Sequence, residues 1–232
     1  TLWQGKAVWQ VIPTDKAGDW APDSPTGWLI HDTLTARMFP RRACAALAAA
    51  IRAKGGEIVS DSPVVGAQVW ATGWQGLEQL SQDAGRMVGN GVKGQAALLR
   101  LDRRALPQIY ADAVHMVPHE DGTIAIGSTS ERDFDDPGST DEQLDAVLAR
   151  ACAALPVLKE AKVLERWAGV RPRAKSRAPM LGHHPFQEGA YVANGGFKIG
   201  FGMAPKVAGI MADLILDGSD NIPDDFRPQA SL

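Results

Sequence analysis

Cysteine is scarce in this chain: Cys44 and Cys152 are the only two in 232 residues. Both fall in apolar helical patterns, so two buried, reduced thiols are expected instead of a disulfide, which points to a cytoplasmic protein. Long hydrophobic runs are missing as well. Each of the longest apolar stretches meets an Arg, Lys or Asp within about ten residues, too soon for a membrane span. The first residues show no basic-then-apolar signal pattern. There is no excess of positive charge: 24 Lys and Arg stand against 27 Asp and Glu, a net charge of −3. Neither nucleic acid nor an anionic membrane is expected as a partner. A GxSxG nucleophile motif is absent, and neither cysteine has an obvious electropositive site, so nucleophilic catalysis gains no support. His183 and His184 are adjacent and would point apart in an extended chain, with no carboxylate at ligand spacing, so no metal site is expected. The chain opens at Thr1 without Met, in sequence that reads as mid-domain, which is the expectation for a piece of a longer protein.

What is present suits a globular core. Apolar residues make up 45% and charged residues 22% of the chain, enough for one large domain or two small ones. Gly5 to Ile12 reads as a strand, residues 13–27 as a Pro/Asp/Gly loop, and Trp28 to His31 as a second strand. Trp3, Trp9, Trp20 and Trp28 crowd this region; core and loop packing is the simpler role for them, a ligand platform the other. Phe39 to Lys54 is alanine-rich, with Pro40 in its first turn and Cys44, Leu47 and Ile51 on one face, and Gly55-Gly56 ends it. Glu57 to Val59 then reads as a strand, which would make a crossover unit. Gly66 to Gly73 reads as a buried strand ending in the small-residue turn Ala71-Thr72-Gly73.

Residues 89–94 (GNGVKG) match GxGxxG, but a nucleotide fingerprint needs a strand before it and a helix after it. Here a Gly/Asn turn precedes and a strand-like run, Gln95 to Leu101, follows, so the match reads as coincidence. Val114 to Pro118 and Thr123 to Ser128 flank an Asp-Gly turn and read as a hairpin, with His115 and Val117 on one face. Asp and Glu at 131–136 read as a solvated loop. A capping box at Thr140/Gln143 or Ser139/Glu142 would open a helix running to about Leu155, closed by Pro156. Val163 to Arg171 reads as a strand that ends on an arginine followed by proline. Such an arginine is either paired internally or offered to a carboxylate, which its planar fork fits. Ala190 to Ala193 is a short strand. It leads into the glycine-rich turn 194–202 and a helix from Ala204–Pro205 to about 217, whose free amides and positive dipole end suit an anion.

AGVRPRAKSRAPMLG followed by YVANGGFKIGFGMAPKVAGIMADLI resembles the C-terminal signature of the FAD-dependent oxidoreductases of the D-amino acid oxidase family, glycine and sarcosine oxidases among them. QVWATGW and HMVPHEDGTIAIGST are similar to two further segments of that family, in the same order. The resemblance implies a mixed α/β fold: an incomplete Rossmann-like FAD-binding domain in two pieces, 36–85 and 176–232, and an antiparallel-sheet substrate domain, 1–35 and 86–175. The family's strand–GxGxxG–helix, which seats the FAD pyrophosphate, has no counterpart in this sequence. By position, Arg171 matches the arginine that holds the substrate carboxylate and His115 a substrate-side residue of the hairpin. Lys198 would stabilise charge on the flavin. FAD contacts are implied for Val64, for Ala71, Thr72 and Gly73, and for Gly195, Gly196, Phe197, Lys198, Ile199, Gly200 and Phe201. The implied activity is oxidation of the C–N bond of a small amine or amino acid by hydride transfer to flavin, with a homo-oligomer left open. The alternatives are a flavoprotein dehydrogenase acting on another donor and a non-catalytic remnant.

Overall fold

The computed structural model describes residues 3–60, 63 and 65–232. The elements in chain order are β1 (Trp9–Pro13), β2 (Trp28–Asp32), α1 (Pro40–Ala53), β3 (Gln68–Trp70), α2 (Gly73–Asp83), β4 (Gly89–Arg100), β5 (Ile109–Ala111), β6 (Val114–Pro118), β7 (Thr123–Gly127), α3 (Glu142–Ala154), β8 (Lys162–Ala174), β9 (Met180–His183), β10 (Ala190–Asn194) and α4 (Gly200–Asp217). They divide into two compact units: Thr1–Ser60, Gln95–Thr129 and Gly138–Ala168 form the first, and Asp61–Gly94, Ser130–Pro137 and Gly169–Leu232 the second. The long strands β4 and β8 each contribute residues to both. This is the mixed α/β architecture the sequence led us to expect, with antiparallel sheet in the first unit and a parallel strand pair in the second.

In the first unit, β5, β6, β7 and the second half of β4 form an antiparallel sheet with strand order β5-β6-β7-β4. The Asp-Gly hairpin is as the sequence suggested, with His115 opposite Gly127 and Pro118 opposite Ile124. Period-2 alternation sends Leu99, Met116, Ile124 and Ile126 to one face. Leu144, Val147 and Ala151 of α3 cover that face, as their spacing of three and four requires. The helix is capped differently from the expected box: Asp141 is the N-cap, and its carboxylate accepts a hydrogen bond from Gln143 N at 3.0 Å. Leu144 is fully buried. Leu144→Ala should therefore cost about 3 kcal/mol, read as a lower urea midpoint with an unchanged slope.

The first part of this unit departs from expectation. Among the four tryptophans only Trp20 is buried, its Nε1 donating to Pro107 O at 2.8 Å, while Trp3, Trp9 and Trp28 are exposed. Leu47, Ile51 and Cys44 share a face of α1, but that face is exposed, and Cys152 is only half-buried. Periodicity establishes which residues share a face, not that the face is covered, and this corrects the expectation of two buried thiols. Glu57 to Val59 form no strand.

In the second unit β10 pairs in parallel with β3 and antiparallel with β9. The expected strand over Gly66 to Gly73 shortens to Gln68–Trp70 and is not buried, because Val69 is exposed. Thr72-Gly73 instead begins α2, a helix the sequence reading missed, which buries Leu77 and Leu80 against Val88, Met180 and Val192. Met211 and Leu214 of α4 pack on Leu181 and Ile222. Among the described residues no helix is long and apolar enough to cross a membrane, and no group of ligating side chains is placed to hold a metal ion.

Candidate functional site

The second unit carries two strand-to-helix turns side by side. β3 runs through Ala71-Thr72 into α2, and parallel to it β10 runs through residues 195–199 into α4. In open α/β sheets the space beyond the carboxyl ends of parallel strands is where ligands bind. Asn194, buried at the end of β10, joins the two turns. Its Nδ2 donates to Gly73 O at 2.8 Å, and its Oδ1 accepts from Gly195 N at 2.7 Å. Gly73 has φ +65° and Gly195 φ +75°, so both turns need the left-handed backbone that glycine supplies without strain. Phe197 has φ +43° without that excuse. A non-glycine residue held there signals that its surroundings fix it, as happens at ligand-binding turns.

Hydrogen bonds from the turn's own amides fix its shape. Phe197 N donates to Pro172 O and Ile199 N to Gly196 O, both at 3.0 Å. Neither Ile199, the N-cap of α4, nor Thr72, the N-cap of α2, makes a side-chain capping bond. The first amides of each helix therefore remain available to an acceptor. A Cβ at Gly200 or Gly202 would meet nothing within 4 Å, so the mouth of the turn is open. Helix α4 begins at Gly200, four residues before the expected start, with Pro205 inside it. The helical amides thus lie closer to the turn than the proline suggested.

β8 brings arginines to this turn. An isolated antiparallel bridge pairs Arg173 with Gly196. Arg171 is half-buried on the strand, and burial lowers its pKa from the ordinary arginine value while the Glu131 carboxylate acts in the opposite sense. Glycines of the 89–94 run make room for β8. A Cβ on Gly91 would lie 2.5 Å from Val170 Cγ1, and a Cβ on Gly94 would press into the Arg171 guanidinium. The GxGxxG match is thus the first half of β4, and its glycines serve strand packing, not phosphate binding.

Lys93 and Glu131 lie beside this arginine, and the sequence reading singled out neither. Their backbones form an antiparallel bridge, with both hydrogen bonds at 2.9 Å. Lys93 Nζ is 3.7 Å from Glu131 Oε2, and the side chains are 3% and 7% exposed. This corrects the solvated-loop expectation at Glu131 alone, since Asp133, Asp135 and Asp136 are exposed. A lysine set between Val92 and Gly94 in an apolar run was the available signal, since a charge carried inward needs a partner.

The remaining candidates are placed as follows. Ala71 and Thr72 are exposed on the turn before α2; Gly196 and Phe197 are half-buried; Lys198, Ile199 and Phe201 are exposed. Arg171, Gly73 and residues 195–201 thus belong to one unit. His115 belongs to the other, exposed on β6 with its ring 4.6 Å from that of Tyr110 across the strand pair. Val64 lies outside the described residues.

A family model described as FAD dependent oxidoreductase matches residues 3–214. Glycine oxidase from Pseudomonas putida is 33% identical over 144 residues, 61% of this chain and 39% of that protein. Glycine oxidase from Bacillus subtilis is 28% identical over 177 residues, 74% of this chain and 45% of that protein. The chain therefore spans under half the length of these relatives. Among solved structures, a glycine oxidase from Bacillus cereus superposes with a TM-score of 0.58 at 30% identity, over 66% of this chain and 42% of that one. An iminodiacetate oxidase from Chelativorans sp. shares the fold over 97% of this chain and 67% of that one, with a TM-score of 0.83 at 18% identity. With the matching model running across most of its length, the chain belongs to the FAD-dependent oxidoreductase family.

Proposed function

We propose that the protein is an FAD-dependent oxidoreductase that oxidises the C–N bond of a small amino acid or N-methyl amino acid. The observation that carries this reading is the open glycine turn at 195–199. It feeds the uncapped α4 and is stitched by Phe197 N and Gly196 to the strand that bears Arg171. The residues present fit a flavin edge. Glycines leave the backbone bare, and the first amides of α4 have no side-chain cap and sit at the positive end of the helix dipole. Residues 195–201 would hold the ring edge, and Ala71, Thr72 and Gly73 would border the nucleotide.

When bound, FAD supplies the hydride acceptor. The chain's own residues bind and orient. Arg171 takes the substrate carboxylate in a bidentate grip and so fixes where the α-carbon lies. Lys198 and the α4 amides offer positive charge where electrons arrive. The name glycine oxidase carried by the relatives supports a small amino acid as substrate.

Purification of the protein from its natural host tests the reading. The protein should show the visible flavin bands, and glycine or sarcosine added without oxygen should bleach them. A colourless protein, or bands that no amino acid or amine bleaches, would overturn it.

A further inference from the structure

Arg173 follows Arg171 by two residues on β8, so strand alternation sets both on one face, about 6.5–7 Å apart along the chain. Pro172 between them fixes the backbone. The Arg173 guanidinium lies 5.7 Å from the centroid of the Phe197 ring, and the Lys198 ammonium lies 5.5 Å from the same centroid. Other arginines of this chain face acids: Arg41 meets Glu165, Arg104 meets Asp102, Arg166 meets Asp145 and Arg227 meets Asp220. Among the described residues neither Arg173 nor Lys198 has an ion pair, although Arg173 is half-buried. A half-buried guanidinium has given up part of its hydration, and a carboxylate arriving beside it restores what was lost.

We propose that Arg173 is a specificity-determining residue that takes a second carboxylate of the substrate, so that the preferred substrate class is an amine or amino acid bearing two carboxylates. This assignment rests on Arg171 taking the first carboxylate. One guanidinium suffices for a monocarboxylate, and the second adds nothing to its recognition. Two on one strand face, separated by a rigid proline, match two carboxylates on a small skeleton. Exposed Lys198 adds attraction of the same sign to the approach. The competing role for Arg173 is structural stacking on Phe197. Stacking would serve every substrate alike, and its loss would lower stability.

Calorimetric titration of the flavin-loaded protein with succinate and with propionate separates the two. The unmodified protein should bind succinate at least tenfold tighter than propionate. Arg173→Met should erase that preference while holding propionate affinity within about threefold and leaving the urea midpoint in place. Arg173→Lys should keep part of the preference. Equal affinity for the two acids in the unmodified protein, or an equal loss of both in Arg173→Met, overturns the proposal. Arg171→Met should weaken propionate binding. If it does not, the underlying reading of Arg171 is at fault and this proposal falls with it. If it does, and Arg173→Met leaves the succinate preference intact, only the second-carboxylate assignment fails.

Discussion

Arg171→Met should raise KM for a small amino acid by about a hundredfold in the flavin-loaded protein, with the fold retained. Methionine keeps the length and the apolar stem, and it deletes the fork. Two charge-assisted hydrogen bonds to a carboxylate are together worth about 3 kcal/mol, which corresponds to roughly a hundredfold in affinity. The grip also aims the α-hydrogen, so kcat should fall with it. Steady-state kinetics on the natural substrate and on its decarboxylated amine would check this, since the amine has no carboxylate to lose and should be far less affected. A companion change tests the same site without removing charge. A Cβ on Gly94 would press into the Arg171 guanidinium, which is the mobile end of a long side chain. Gly94→Ala should therefore displace the head of Arg171 at little cost in stability and raise KM by about tenfold. An unchanged KM in both variants would remove Arg171 from the substrate site.

The sequence exposed those parts of the structure that local rules govern. The hairpin at β6 and β7 follows from alternation around an Asp-Gly turn, and α3 from apolar steps of three and four ended by Pro156. The glycine turn before α4 was legible because bare backbone followed by a helix is a local pattern. What failed was non-local. Leu47 and Ile51 lie on one side of α1 as their spacing requires, yet they are exposed, because burial depends on what packs opposite and periodicity carries no word of that. The strand expected at Glu57 to Val59 had apolar residues but no partner strand to pair with among the described residues. Residues 89–94 were set aside as a nucleotide fingerprint on context, and the structure gives the positive reason for the glycines: Gly91 and Gly94 admit Val170 and Arg171 from a strand some eighty residues on. Such a close approach is invisible along the chain. Asn194 escaped notice for the same reason, since its two hydrogen bonds join a residue next to it and one in a distant turn.

The Lys93–Glu131 pair should dominate the stability of the second unit. Both side chains are almost fully buried, 3.7 Å apart at the charged ends, and each backbone donates to the other's carbonyl. Removing one charge takes from the other the ion pair that offsets its burial, which costs about 3–5 kcal/mol. Lys93→Met and Glu131→Leu should therefore each lower the urea midpoint strongly. The double variant should recover most of the loss, because two apolar side chains of similar volume carry no desolvation penalty. Glu131 also acts on Arg171, whose charge it favours against the effect of burial. Stability and recognition should accordingly separate in the double variant: the midpoint returns, while the KM for a carboxylated substrate stays altered, since the guanidinium has lost the carboxylate that helped set its place. Full recovery of both would make Glu131 a partner of Lys93 alone. Recovery of stability without recovery of KM identifies it as the residue that positions Arg171.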